Sequence, residues 1–348
     1  MARGGVATIK DVAARAGVAP SIVSRLLNDD PSVRVRPETR ARVNAAVLEL
    51  DYIPNRAARA LRGARVGALG MALRHLTSPI YASILSGAED EARHADFLLV
   101  AVEVDALAAD PVAFHRLVRG GAIDGMLLQR DGFPADDVVM ANVLATKLPF
   151  VIVNERVEQP LIGVAMDDAR ASRMATAHLI ALGHVDIAHL AIGGSTSRSS
   201  DRRDGWRQAL RHAELPAPDG MVAVGGSTPE SGYAGMMELL ANPRRPTAVV
   251  AGTLLAAIGA LSAIRVAGLQ VPGDISLVAH HDSWMAEYAS PPLTAVRLPL
   301  EELGRRAVRL LIEQLGGALP RQGLLALPEP QLVPRASTAP PHPMSHGR

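Results

Sequence analysis

The chain of 348 residues contains no cysteine. That excludes disulfide staples and thiolate metal sites, and it fits a reducing compartment. Aromatic residues make up 3%, too few for a protein that holds single strands by stacking bases on rings. No run reaches the ~18 successive apolar residues of a membrane-spanning helix, and the opening MARGGVATIK lacks the apolar centre of a signal peptide. The expected location is therefore the cytoplasm, with no membrane partner. Net charge is nearly absent as well, at +1, but this is a cancellation. Residues 1–62 carry eleven Lys and Arg against six Asp and Glu, a net of +5; the other 286 carry 25 against 29, a net of −4. Only the basic N-terminal end suits a polyanion, because phosphate neutralisation supplies most nonspecific affinity for nucleic acid.

With 48% hydrophobic residues the chain can bury sizeable cores in two or three domains. The stretch Thr8 to Asn28, TIKDVAARAGVAPSIVSRLLN, has the pattern of two short helices around a turn. Ile9, Val12, Ala13 and Ala16 recur at helical spacing, Gly17 supplies a left-handed stop, and Val23, Leu26 and Leu27 restart the period. The second helix would present Pro20, Ser21, Ser24, Arg25 and Asn28 outward, groups of a size to reach base edges in a major groove. Pro37 to Leu50 completes a three-helix head. Beyond Pro54, Asn55 can cap a helix running to Arg62, only two turns long and expected to fray without a partner.

From Val66 onward short apolar runs (VGALGMAL, FLLVAVEV, GMLLQR, PFVIVN, then IAHLAIGG, TAVVAGTLL, ISLVAH) alternate with amphipathic helical stretches. This is the signature of βαβ units and parallel sheets, here in two α/β lobes of similar size. Such lobes close a ligand at the carboxyl ends of their strands. The proline-rich tail past Thr338, residues 339–348, is expected to be disordered.

Taken in order, TIKDVAARAGV with VSRLLN, YIPNRAARALR, HLIALGH, RRDGW, VPGDISLV, PPLTAVRLP and LGRRAV resemble the LacI/GalR family of bacterial transcription regulators nearly end to end. The resemblance implies an all-α helix-turn-helix head over 1–53, a hinge helix and linker over 54–64, and a two-lobed, periplasmic-binding-protein-like effector and dimerisation core over 65–338. It implies a homodimer on a near-palindromic, double-stranded operator. Carried over, the base-reading positions fall on Pro20, Ser21 and Arg25, with Ile22 and Ser24 toward neighbouring bases and backbone, and Thr8 and Asn28 as further DNA contacts. Asn55, Ala58 and Leu61 fall on the hinge helix, with Leu61 placed to wedge between base steps of the minor groove. The family's usual Ser or Thr cap is replaced by Ala19 before Pro20 and by Arg36 before Pro37.

For the effector, the resemblance points to Arg202, Tyr81 and Asn154, while Thr253 and His281 stand where the family usually has Asn and Asp. With those acceptors gone and Arg74 offering a second cation, the expected effector is a sugar-derived acid or phosphate, with a plain sugar as the simpler case. His280 and His281 sit adjacent on a strand and so face opposite sides, which argues against a shared metal ion. GGSTSRSS lacks the ending of a phosphate-binding loop, so neither cofactor nor enzyme activity is expected. The alternative function is a two-lobed solute-binding protein without a DNA role.

Overall fold

The computed structural model describes residues 7–27, 35–50, 52, 65–76, 78–158, 160–318 and 327–342. The chain divides into two compact units, Met1–Val66 and Gly67–Arg348. Asn28, Asn55, Ala58 and Leu61 lie outside the described residues, as does the whole of the expected hinge, 54–64.

In the first unit, α1 (Ile9–Ala16) starts at a capping box: the Asp11 backbone N–H donates to the Thr8 hydroxyl, and the Thr8 backbone N–H donates to the Asp11 carboxylate at 2.8 Å. Gly17 ends the helix with φ 65. α2 (Pro20–Leu26) and α3 (Pro37–Glu49) start differently, from extended Ala19 and Arg36 with no side-chain cap and with proline in the first turn. Proline has no N–H to leave unsatisfied there and already holds the helical φ. Val12, Ala13, Ala16, Val23, Leu26, Val43 and Ala46 form the buried core. The exposed Arg15–Glu49 ion pair, 2.7 Å, adds at most ~1 kcal/mol.

The second unit holds two sheets. Lobe 1 contains β1 (Ala68–Leu73), β2 (Leu98–Glu103), β3 (Gly125–Gln129), β4 (Phe150–Val153) and β5 (Gly163–Val164), parallel throughout, in the order β2-β1-β3-β4-β5. Lobe 2 contains β6 (Ile187–Ala191), β7 (Val222–Val224), β8 (Ala248–Ala251), β9 (Ser276–His280), β10 (Thr294–Arg297) and β11 (Gln331–Val333), in the order β11-β10-β9-β8-β6-β7, with only β11 antiparallel. Every residue of β1, β3, β6, β8 and β9 is buried, as expected of strands covered by helices on both faces.

The helices that matter below are α4 (Pro79–His94) and α5 (Pro134–Leu144) in lobe 1, and α6 (Asp168–Ala181), α7 (Ser197–His212), α8 (Pro229–Leu240) and α9 (Leu254–Val266) in lobe 2. The last, α10 (Leu300–Leu315), lies between β10 and β11 of lobe 2 in the chain but returns to pack on α4. The two backbones come so close that a Cβ on Gly87 would overlap the Glu301 backbone, and one on Gly304 would overlap the Ile84 carbonyl. Neither α5 nor this return was apparent from the apolar pattern.

One expectation is corrected at the C-terminus. The segment 339–342 is described, and Ala339 is docked on lobe 2: its N–H donates to the Ser276 hydroxyl at 3.0 Å, and its carbonyl lies 2.9 Å from His184 Nε2. These partners satisfy backbone groups that a disordered tail would leave to water.

Candidate functional sites

On α2, Val23 and Leu26 point into the head's core, which turns Pro20, Ser21 and Arg25 outward; all three are exposed. Ser24 is half-buried. Ile22 is half-buried as well and packs against the apolar cluster, so its contact area is shared between core and solvent. The Thr8 hydroxyl donates to Asp11 at 2.7 Å and caps α1, a structural duty that the expected DNA contact would have to share.

The second site is a cavity of 460 Å³ at the carboxyl ends of the strands in both lobes. Tyr81, Asn154, Arg202, Thr253 and His281 all line it. Asn154 follows β4 and His281 follows β9, each in the left-handed region, with φ 62 and φ 71. Such backbone is uncommon outside glycine and tends to mark functional strand ends. Thr253 accepts from the Ala256 N–H at 3.1 Å and so caps α9. A wider hollow of 580 Å³ lies on lobe 2 between Leu261, Val271, Trp284 and Tyr288, but charge and hydrogen-bonding groups converge on the smaller cavity.

Arg202 is fully buried and heavily engaged. Its Nε donates to Asp168 at 2.7 Å, another nitrogen donates to the Gly252 carbonyl, and a third lies 3.1 Å from His281 Nε2. Burial, followed by the neighbouring charges of Arg202 and Arg198, holds the His281 pKa well below its usual value. The imidazole is therefore neutral and accepts from Arg202 through Nε2, which leaves the proton on Nδ1. That Nδ1 and the Asn154 Oδ1 are both buried with no hydrogen-bond partner among the described residues. Asn154 and His281 line the cavity, and these two atoms, one acceptor and one donor, lie just beneath its wall uncommitted within the protein.

Arg74 is corrected. It does not line the cavity: it donates to Asp105 at 2.8 Å and to Asp136 at 2.6 Å, and its guanidinium lies 4.5 Å over the Phe133 ring. Burial opposes its charge, but the two carboxylates outweigh burial and raise its pKa. It is the cation of a network inside lobe 1, since Asp136 also accepts from the backbone N–H groups of Asp131 and Phe133 at 2.9 and 2.8 Å.

The cation that does join Arg202 in the cavity is Arg198, one helical turn earlier on α7. It donates to Asp131, which also accepts from the Tyr81 hydroxyl at 2.9 Å. Burial alone would raise the Asp131 pKa, but Arg198, Tyr81 and Arg74 together hold it below the ordinary carboxylate range. Both residues were missed, though signals existed: Arg198 and Arg202 stand at the i, i+4 spacing that shares a helix face, and Asp131 lies just beyond the end of a strand. Among the described residues no group of three or more His, Cys, Asp or Glu could hold a metal ion.

Comparison with known proteins gives two family matches: bacterial regulatory proteins of the lacI family over residues 8–55, and a periplasmic-binding-protein-like domain over residues 176–338. The chain is 30% identical over 338 residues to the HTH-type transcriptional regulator DegA of Bacillus subtilis, covering 96% of this chain and 98% of DegA. Among solved structures it resembles the lac repressor dimer bound to operator and the anti-inducer ONPF, with TM-score 0.79 and 28% identity over 96% of this chain and all of the other. It also resembles the transcriptional regulator CelR in complex with cellobiose, with TM-score 0.69 and 30% identity over 95% of this chain and 99% of the other.

Proposed function

The chain belongs to the lacI family of bacterial regulatory proteins, and on that premise we propose that it is a repressor that binds a near-palindromic operator as a homodimer and is switched by a small, uncharged, hydroxyl-bearing effector between its lobes. It is a transcriptional regulator, as its relatives are, and not an enzyme. The match over residues 8–55 sets aside a solute-binding protein without a DNA role. Among the described residues no helix is long and apolar enough to cross a membrane.

The outward face of α2 carries the DNA reading. Arg25 is the best-equipped group, since a guanidinium can donate twice to one guanine. Leu61, with Asn55 and Ala58 on the hinge, takes the minor-groove role that the family resemblance gives it. For the dimer, lobe 2 offers an apolar hollow with Trp284 66% and Tyr288 78% exposed, and lobe 1 offers Leu98 and Val100 on edge strand β2. Large exposed apolar groups of this kind suit a second copy more than water.

The effector class follows from charge. The expectation of a sugar acid rested on Arg202, on the missing hydroxyl acceptors and on Arg74 as a second cation, and Arg74 is spent within lobe 1. The two arginines in the cavity face Asp168 and Asp131, so the site is balanced before any ligand enters. An added carboxylate would have to displace an existing partner. A neutral ligand with an apolar face and several hydroxyls needs only Asn154, His281 and the rings of Phe133 and Tyr81. This matches CelR, whose solved complex holds cellobiose.

Selection of bound DNA from a random pool should yield a palindrome, and Arg25→Ala should lose ~5- to 150-fold discrimination at one guanine per half-site. Recovery of no preferred sequence would overturn the DNA reading. Calorimetric titration with neutral saccharides and with their acid and phosphate forms should give heat with the neutral set; tight binding confined to the acids would overturn the effector class.

A further inference from the structure

Two loops from different lobes meet beside the cavity. One follows β3 and carries Asp131 and Gly132; the other follows β6 and carries Gly194 and Ser195. A Cβ on Gly132 would lie 2.8 Å from the Ser195 backbone nitrogen, and one on Gly194 would lie 2.7 Å from the Asp131 carbonyl oxygen. Both glycines have positive φ, 81 and 82, so the approach uses their lack of a side chain as well as their backbone freedom. Across this seam Arg198, in the first turn of α7, donates to the Asp131 carboxylate. The pair is buried, at 6% and 5% exposure.

We infer that the Asp131–Arg198 ion pair is a latch between the lobes, built from the protein's own charges, which sets the closed spacing of the cleft independently of any effector. It concerns the regulation of the effector site proposed above and takes its functional meaning from that reading, although the contact itself does not depend on it. Each half is anchored in its own lobe. Tyr81 on α4 and Gln129 at the end of β3 both donate to Asp131, at 2.9 and 3.3 Å, while Arg198 is fixed by the start of α7 behind the Thr196 cap. Opening the cleft would pull these anchored groups apart instead of letting one follow the other.

Such a latch is reversible for a physical reason. A buried pair gains attraction at low dielectric but loses hydration, so its net hold on the closed form is a modest difference between two large opposing terms. Opening the lobes breaks the pair and restores water to both ions, so closed and open forms stay within reach of a modest differential contact from a ligand. A neutral effector could then act by reinforcing or straining the seam, without replacing either charge.

The test uses the full chain and exploits the absence of cysteine, which gives spin labelling no background. Labels at Val138→Cys on α5 and Met237→Cys on α8 place one probe on each lobe at exposed positions. Labelled chain is diluted into unlabelled chain, and the distance distribution is measured by pulsed electron resonance with neither DNA nor effector present. The parent should show one dominant distance. Asp131→Asn/Arg198→Met, which removes both charges and leaves neither unpaired, should shift the open-to-closed ratio at least tenfold toward the open form. Arg309→Met, which breaks the ion pair of α10 with Glu91 on α4 and touches neither latch residue, should keep the parent distance. If the double variant keeps its far-ultraviolet dichroism and the parent distribution, or if Arg309→Met opens the cleft equally, the latch is overturned. If the double variant does not fold, Arg198→Gln, which leaves Asp131 a neutral donor, is measured in its place under the same criteria. Failure here leaves the DNA-selection and titration results standing, and failure of those leaves this distance result standing.

Discussion

The two lobes share a doubly wound plan but handle buried charge in opposite ways. Lobe 1 carries the acids of the seam, Asp131 and Asp136, and supports them with backbone N–H groups, the Tyr81 hydroxyl and Arg74. Lobe 2 carries the bases, and supports them less completely. Around Arg202 stand His189, His280 and His281, and the last two, with the Nε2 of His189, leave buried nitrogens without partners among the described residues. Lobe 1's described histidines, His75, His94 and His115, are by contrast half-buried or exposed. Repeating a sheet architecture therefore does not repeat its electrostatics: one lobe is insured by redundant donors, while the other depends on its histidines staying neutral.

Acid should break this symmetry most strongly. Burial, then the charge of Arg202 among other neighbours, keeps His280 and His281 neutral, and burial chiefly holds His189 at about 4 against its ordinary 6.5. These groups contribute nothing to the pH dependence above 6.5. Below it the unfolded chain binds their protons and the folded chain does not, so stability falls as pH drops from 6.5 toward 4. Three such groups give a slope approaching roughly 4 kcal/mol per pH unit. Urea titrations at stepped pH should show it, with lobe 2 probed by the buried Trp206, which stacks on His189. A flat profile between 6.5 and 5 would contradict the contrast.

Next in size is a pair of substitutions. Arg202→Met leaves Asp168 buried at 3% exposure without its guanidinium, and should cost about 3–5 kcal/mol in urea unfolding. Arg74→Met leaves Asp136 with its two backbone donors and should cost less, about 1–3 kcal/mol. The reverse order would mean that the donors of lobe 1 do not insure it.

Much of this was legible in the sequence where one local rule decides. Proline at the first helical position of α2 and α3, the glycine stop of α1 and the alternating lobes all follow from chemistry within a few residues. The cavity positions of Tyr81, Asn154, Arg202, Thr253 and His281 came through family resemblance, and the structure groups them together. What was not legible depended on pairs far apart in the chain. Arg74 reads as a free cation until Asp105 and Asp136, 31 and 62 residues away, are brought to it. The same distance hid the partnership of Asp131 with Arg198, 67 residues apart. The docking of Ala339 was hidden too, because a proline-rich tail gives no sign of a serine and a histidine waiting on another element.

The return of α10 to α4 bears on how the protein is made. Lobe 1 cannot complete its own helix layer until residues 300–315 have left the ribosome, long after α4 has emerged. Roughly 200 residues separate the two helices, and at ~5–20 residues per second that is about 10–40 s of translation. Throughout that interval the groove that Gly87 opens in α4 faces solvent with its apolar neighbours Ile84 and Ala88 uncovered. Lobe 2, synthesised inside this window, has β6–β10 before α10 appears but waits for β11 and the Ala339 contacts that follow it. Vectorial synthesis therefore completes lobe 1 first and lobe 2 shortly after, both from the segment that begins at Leu300.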